Sequence, residues 1–278
     1  MSKYSYRSYT CSGGKGSFKL NQDMKYVDYR KNIAIIADGV SQITNKKKGT
    51  SSGRQAAFQA ICWASYELNS LYRHIHSGRI DESDISLLLG ESLKFVNETV
   101  VALGNNISDF SGLATTLDAC LIHNDVAYIA HVGDSRVYHI TYDRIGMNLL
   151  TNDHSDCNVD LSDLEGDHKK VVEMKFSPLY NWIGKKEISV DVVTQEMKKG
   201  DILFMTTDGL LKRLYEKSIY HSLRSNPFNT HLVKDLKRRL KKVSDYAKAD
   251  SLMCNCPLEQ SDKKFKDDIT FIAIQRRE

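Results

Sequence analysis

The sequence predicts an α+β domain. Three observations carry that expectation. Short apolar strands follow one another with tight polar turns between them. Two long amphipathic helical patterns are set among those strands. No repeat, linker or composition break divides the 278 residues, so residues 1–278 are expected to form a single domain.

Taken in order, residues 1–24 read as an irregular lead-in containing a strand, and 25–38 as a hairpin entering Ile33–Ala37. Residues 40–52 are polar and lysine-bearing, which predicts a loop. From about Gly53 to His76, the residues Ala57, Ile61, Ala64, Leu68, Leu71 and Ile75 recur every three or four positions and mark one helix face. Gly78 suits its end. A second helix is expected after Asp81 or Ser83, with Leu88, Phe95, Val96, Thr99 and Leu103 inward and Gly104-Asn105-Asn106 closing it. Strands follow at about 115–122, 126–133, 135–141 and 147–151. His123-Asn124-Asp125 provides the turn between the first two. Residues 152–170 read as a surface loop. Residues 188–194 and 201–207 read as strands, 230–246 as a basic amphipathic helix with Leu232, Leu236, Leu240 and Val243 inward, 247–266 as loop, and 269–275 as the last strand.

Composition excludes little but excludes it cleanly. Hydrophobic residues make up 41% and charged residues 27%, enough for a substantial core. A net charge of +4, mixed along the chain, does not argue for nucleic acid. The start of the chain lacks the apolar stretch of a signal peptide, and no apolar run is long enough to span a bilayer. Of the six cysteines, most are scattered, which fits reduced thiols and a cytoplasmic location. Cys254-Asn255-Cys256 has no second pair with which to complete a zinc site.

The chemistry lies in aspartates at strand ends. Asp38 follows Ile33–Ala37, Asp134 follows Tyr128–Gly133, Asp208 follows Ile202–Thr207, and Asp267 precedes Ile269–Ile274. A strand buried in a core holds the side chain at its tip rigidly. Carboxylates gathered at several tips repel one another unless cations lie between them, and hard oxygen ligands suit Mg2+ or Mn2+. In Asp38-Gly39 and Asp208-Gly209 the glycine lets backbone come close to such an ion. Two divalent ions can activate a shared water and clamp a phosphoryl group, so no protein nucleophile is needed. The sequence offers no Gly-x-Ser-x-Gly elbow and no Cys-x5-Arg loop.

Seven segments in order then resemble the motifs of the type-2C metal-dependent protein phosphatases: Asn21-Gln22-Asp23, Ile35–Val40, Ser111–Thr116, Val132–Tyr138, Leu150–Ser155, Thr206–Gly209 and Asp267–Thr270. The Asp38-Gly39-Val40-Ser41 variant is closer to a divergent bacterial branch. The resemblance implies a sandwich of two mostly antiparallel sheets flanked by helices, an α-β-β-α arrangement, with the metals in a cleft at one end. It implies that Asp38 bridges two metals, with the Gly39 carbonyl on the second. Asp208 and Asp267 would complete the first, Asp23 would act through bound water, and Asp134 with Asp208 would hold a third, weaker ion. It also implies Mn2+ or Mg2+ as cofactor, phosphorylated proteins as substrates and a cognate Ser/Thr kinase as counterpart. The reaction implied is direct attack of a metal-bridging hydroxide on phosphoserine or phosphothreonine. Oligomeric state is left open.

The departures are specific. The family's phosphate-gripping arginine is replaced by Phe18, with Lys19 and Lys15 the nearby point charges. Val40 stands where the eukaryotic members carry a general-acid histidine, and Ser41-Gln42 replaces a glycine pair. The family's closing Asp-Asn is Asp267-Asp268, and the extra carboxylate is expected to be solvated. His131 is expected as a hydrogen-bonded sheet residue, His154 as a structural loop residue, and Arg136 as a group that orients acidic neighbours. Lys46-Lys47-Lys48 and the basic face at Lys237, Arg238 and Arg239 are expected to be solvated. Phe18 motivates a second reading, a pseudophosphatase that binds phosphoprotein without turnover. A third is a regulatory module whose basic helix holds an acidic partner.

Overall fold

The computed structural model describes residues 3–12, 21–40, 52–106, 112–143, 146–156, 178–225, 232–240 and 267–277. Lys15, Phe18, Lys19, Ser111, Lys46–Lys48, Cys157, Val243, the Cys254–Cys256 pair and most of the 152–170 segment lie outside those residues.

Two five-stranded sheets stand face to face. The first runs β1 (Tyr4–Cys11), β10 (Ile269–Arg276), β9 (Ile202–Thr206), β6 (Arg136–Ile140), β7 (Asn148–Leu149) in spatial order. The second runs β2 (Met24–Asp28), β3 (Ile33–Ala37), β4 (Leu117–His123), β5 (Val126–Val132), β8 (Asp191–Glu196). Every strand pair is antiparallel. Helices α1 (Ser52–His76) and α2 (Ile85–Asn106) cover the second sheet. The single turn α3 (Asp208–Leu211), α4 (Glu216–Ser225) and α5 (residues 232–240) cover the first.

The layers explain the strand sequences. Antiparallel strands with one wet face alternate apolar and polar. Ile33-Ala34-Ile35-Ile36-Ala37 does not alternate, because both faces are dry. Ile33, Ile35 and Ala37 pack under α1 and α2, while Ala34 and Ile36 meet Leu203, Met205, Ile272 and Ile274 of the opposite sheet. In the other sheet Phe204, Phe271 and Ala273 face the outer helices. Each fully buried large side chain in these layers contributes roughly 1.5–3 kcal/mol. The β4–β5 turn places Asn124 and Asp125 at positive φ (45° and 65°), the turn that the right-handed twist of a hairpin prefers.

Helix α1 buries Ala57, Ile61, Ala64, Leu68, Leu71 and Ile75 as the periodicity predicts. It ends in a Schellman motif: Gly78, at φ +67°, donates its amide to Ile75, and Arg79 donates to His74. Of the expected inward face of α2, Val96 is buried as expected and the rest is corrected. Ile85, Leu89, Leu93, Val96 and Val100 form the buried stripe, Leu88 and Leu103 are only partly buried, and Phe95 is 45% exposed. Apolar residues stand on both candidate stripes, so spacing alone does not separate them. Contacts decide the rotation: the flat side at Gly90 lies against Val192 of β8, and the Asn97 side chain ties the Gly184 amide and the Lys185 carbonyl. α4 carried no sequence expectation; it buries Ile219, Tyr220 and Leu223. Leu232 and Leu236 of the basic helix are buried as expected. No helix among the described residues is long and apolar enough to cross a membrane.

Candidate active site

Antiparallel pairing fixes where the acidic tips must go. β2 and β3 pair Met24 with Ala37, so Asp23, just before β2, meets Asp38, just after β3. β10 and β9 pair Phe271 with Thr206, so Asp267, just before β10, comes to the same end as Asp208, just after β9, two residues off direct opposition. Asp134 follows β5, and β6 pairs Arg136 with Thr206. Asp23, Asp38, Asp134, Asp208 and Asp267 therefore collect at one end of the sandwich, in contributions from both sheets. Each of the other four raises the pKa of Asp38 through its charge.

Threonines set the positions of these groups. Thr116, at the mouth of β4, receives the Asp38 amide on its hydroxyl at 2.9 Å and donates its own amide to the Asp38 carbonyl at 2.9 Å. The Thr116 hydroxyl also pairs with Ser135. Thr207 precedes α3, where a hydroxyl could cap the helix, but it donates to Asp23 Oδ2 at 2.9 Å and accepts the Thr270 amide at 3.0 Å. Gly39 is required by space: a side chain there would enter the Gly53 carbonyl at the start of α1, within 2.2 Å. Asp268 is not simply solvated, as its sequence position suggested. Its carboxylate accepts the Gln22 amide at 2.6 Å and so ties the Asp23 segment to the start of β10.

The electrostatics are those of crowded carboxylates, Asp23 and Asp208 buried and Asp38, Asp134 and Asp267 partly so. Burial, then the charges of Asp23, Asp208, Asp267 and Asp134, push Asp38 well above the ordinary range. Burial raises Asp23 to about 8 against the opposing Thr207 hydrogen bond. Burial and Asp208 raise Asp134 to about 8, with Lys212 opposing. Asp208 is raised by burial, also against Lys212. Carboxylates that bind protons more tightly folded than unfolded stabilise the fold at low pH, and that stability is lost as pH rises through the folded value. In EDTA the urea midpoint is therefore expected to fall as pH rises from about 4, the unfolded carboxylate value, towards 8. A midpoint flat or rising over that window would contradict the crowding.

The donor set suits a hard cation. Oδ1 of Asp23 and Oδ1 of Asp208 are buried without a hydrogen-bond partner, a costly state for a carboxylate that a cation would relieve. The arrangement is not that of finished ligands. Among the described residues, no three Asp, Glu, His or Cys side chains surround one point at metal-ligand spacing. The ammonium of Lys212 lies there: it contacts Asp208 and reaches Asp267 Oδ2 at 2.8 Å.

The two histidines and the arginine near the acidic tips are scaffolding. His131 is buried, with Nδ1 2.5 Å from Asp118 Oδ1 and Nε2 2.8 Å from the Asn152 carbonyl. Burial pulls the imidazole pKa down, but the Asp118 carboxylate and this carbonyl outweigh it, and the value is raised. His154 is buried against the Gly133 amide, Asn181 and Asp191. Arg136 forks onto Asp153 and also reaches Glu216, which matches its expected role of orienting acids. Sequence reasoning missed Asp118, Thr207 and Lys212. Lys212 had one local signal: it stands four residues after Asp208 at a helix start, where such side chains meet.

No protein-family model matches the chain. It is 26% identical over 197 residues to the "Serine/threonine phosphatase stp" of Listeria innocua, covering 69% of this chain and 72% of that one. It superposes on the Mycobacterium tuberculosis serine/threonine phosphatase PstP/Ppp with a TM-score of 0.69 and 18% identity, over 99% of both chains. A structure of the PstP catalytic domain in complex with two manganese ions gives a TM-score of 0.70 at 17% identity, again over 99% of both. The chain thus has the fold of these bacterial serine/threonine phosphatases and is similar to one of them over about two thirds of its sequence.

Proposed function

We propose that this chain is a metal-dependent protein phosphatase that hydrolyses phosphoserine and phosphothreonine esters of other proteins. The supporting observation is the convergence of Asp23, Asp38, Asp134, Asp208 and Asp267 at one end of the sandwich, with buried carboxylate oxygens that lack partners.

Mn2+ or Mg2+ is the proposed cofactor, as two ions with a third held more weakly. Asp38, Gly39, Asp208 and Asp267 would hold the pair, Asp23 would act through water, and Asp134 with Asp208 would hold the third. Bound there, divalent ions lower the pKa of water and neutralise charge on a phosphoryl group. The chain's own residues supply the rest. Thr116 and Thr207 fix Asp38 and Asp23, so the carboxylates need little rearrangement when charge develops. The Arg136–Asp153 fork holds the segment after β7 against β6, beside Asp134. Lys19 and Lys15 are the proposed phosphate-gripping charges in place of the arginine; both lie outside the described residues. The unit is taken as one domain over residues 1–278, acting in the cytoplasm opposite a Ser/Thr kinase.

The test is release of phosphate from a phosphopeptide by the purified chain with Mn2+, against an EDTA control. Turnover that depends on Mn2+ supports the reading; an inert protein in Mn2+ sinks it. Phosphopeptide binding without release favours the pseudophosphatase, a reading to which the Lys212 ion pairs lend some weight.

A further inference from the structure

Lys212 lies at the end of α3, and its amide donates to the Asp208 carbonyl at 2.8 Å. That turn brings its side chain back over Asp208. The ammonium contacts Asp208 Oδ2 and lies 2.8 Å from Asp267 Oδ2, with only 16% of the side chain exposed. Its charge also acts on Asp134. Burial pulls the ammonium pKa down, but the two carboxylates outweigh burial and the value is raised. Lys212 is thus a fixed positive charge on the oxygens that a divalent ion at this end of the sandwich would need.

We propose that Lys212 is an internal counter-ion that sets the metal affinity of this centre: it holds Asp208 and Asp267 in the metal-free protein and must leave them before an ion can enter. The inference rests on the reading of Asp208 and Asp267 as metal ligands. Its physics is competition for the same lone pairs. An ammonium carries one charge, a divalent ion two, so the ion prevails at sufficient concentration. When the binding-competent state is only a fraction of the population, the apparent Kd is raised by the inverse of that fraction. A lysine seated nine-tenths of the time weakens binding by about tenfold. Because the fraction belongs to the protein, the factor is the same for Mn2+ and Mg2+. That equality separates displacement from a change in ligand geometry, which would alter the two ions unequally.

The experiment is calorimetric titration of the EDTA-stripped full chain with Mn2+ and, separately, with Mg2+, alongside thermal melts of the stripped protein. Lys212→Met is compared with wild type and with Lys217→Met, which removes the same charge from the exposed side of α4. Lys212→Met is expected to bind Mn2+ at least about tenfold more tightly, and Mg2+ by a matching factor. It is also expected to melt lower when stripped, because Asp208 and Asp267 lose their counter-charge, and to gain more from saturating Mn2+. Lys217→Met should bind as wild type does. Should Lys212→Met fail to fold, Lys212→Gln keeps the reach without the charge and is measured instead. Equal or weaker binding by the Lys212 variants overturns the inference alone. If neither wild type nor variant binds Mn2+, the metal-centre reading falls and takes this inference with it.

Discussion

Asp38→Asn is expected to abolish phosphopeptide hydrolysis while raising the melting temperature of the metal-free protein. The two effects share a cause. Asp38 sits where burial and four neighbouring carboxylates oppose its ionisation. Without cations this costs the fold either charge repulsion or uptake of a proton, and a neutral amide of nearly the same shape avoids both. Relief of about 1 kcal/mol corresponds to roughly 2–4 °C for a chain of this size. The Thr116 clasp acts on the backbone of residue 38, so it survives the substitution. With Mn2+ present the same change removes a carboxylate that would hold the metal, and hydrolysis should fall on the order of a thousandfold, the scale seen when a fixed transition-state contact is lost. Melts in EDTA paired with phosphate release in Mn2+ measure both. Activity near wild type would remove Asp38 from the reaction. A melting temperature that drops would mean that its carboxylate supports the fold.

The second large effect belongs to Gly209→Ala. A Cβ on Gly209 would lie 1.9 Å from the Asp268 carbonyl oxygen and 3.3 Å from Asp267 Cβ. The obstacle is backbone, so it cannot turn aside as a flexible side chain would. Either α3 or the start of β10 must move, and these carry Asp208 and Asp267. The expected destabilisation is roughly 3 kcal/mol or more, by the urea midpoint. In whatever folds, hydrolysis should fall by about a hundredfold, because a displacement near 1 Å suffices for that. Gly90→Ala is the control. Its Cβ meets only the Val192 Cγ2 at 3.2 Å, and alanine gains up to about 1 kcal/mol of helix propensity over glycine. If Gly209→Ala folds and works as well as Gly90→Ala, the close approach of α3 to β10 is not what positions the acids.

These two glycines show how far local pattern reaches. Gly209 is legible as half of an Asp-Gly pair at a strand end, beside an aspartate of the cluster. The reason it must be glycine is not legible, because the carbonyl it touches comes from Asp268, far along the chain. α2 makes the same point. Its existence and ends follow from spacing, but its rotation does not, since only Val192 and the 184–185 segment distinguish one apolar stripe from the other. Asp268 looks like a spare surface charge because its partner, the Gln22 amide, is at the other end of the sequence.

Residue order alone was enough to specify most of the succession of strands and helices, α3 and α4 excepted, the residue types at the strand tips and, through seven motifs in series, the sandwich they build. These are local or ordered properties: side-chain periodicity and turn chemistry act over a few residues. Which charges meet was settled only on folding. Antiparallel pairing carries five aspartates to one end, and a single turn of helix swings Lys212 onto two of them. Electrostatic contact depends on distance in space, and no pattern in a linear chain states that distance until both sheets are in place.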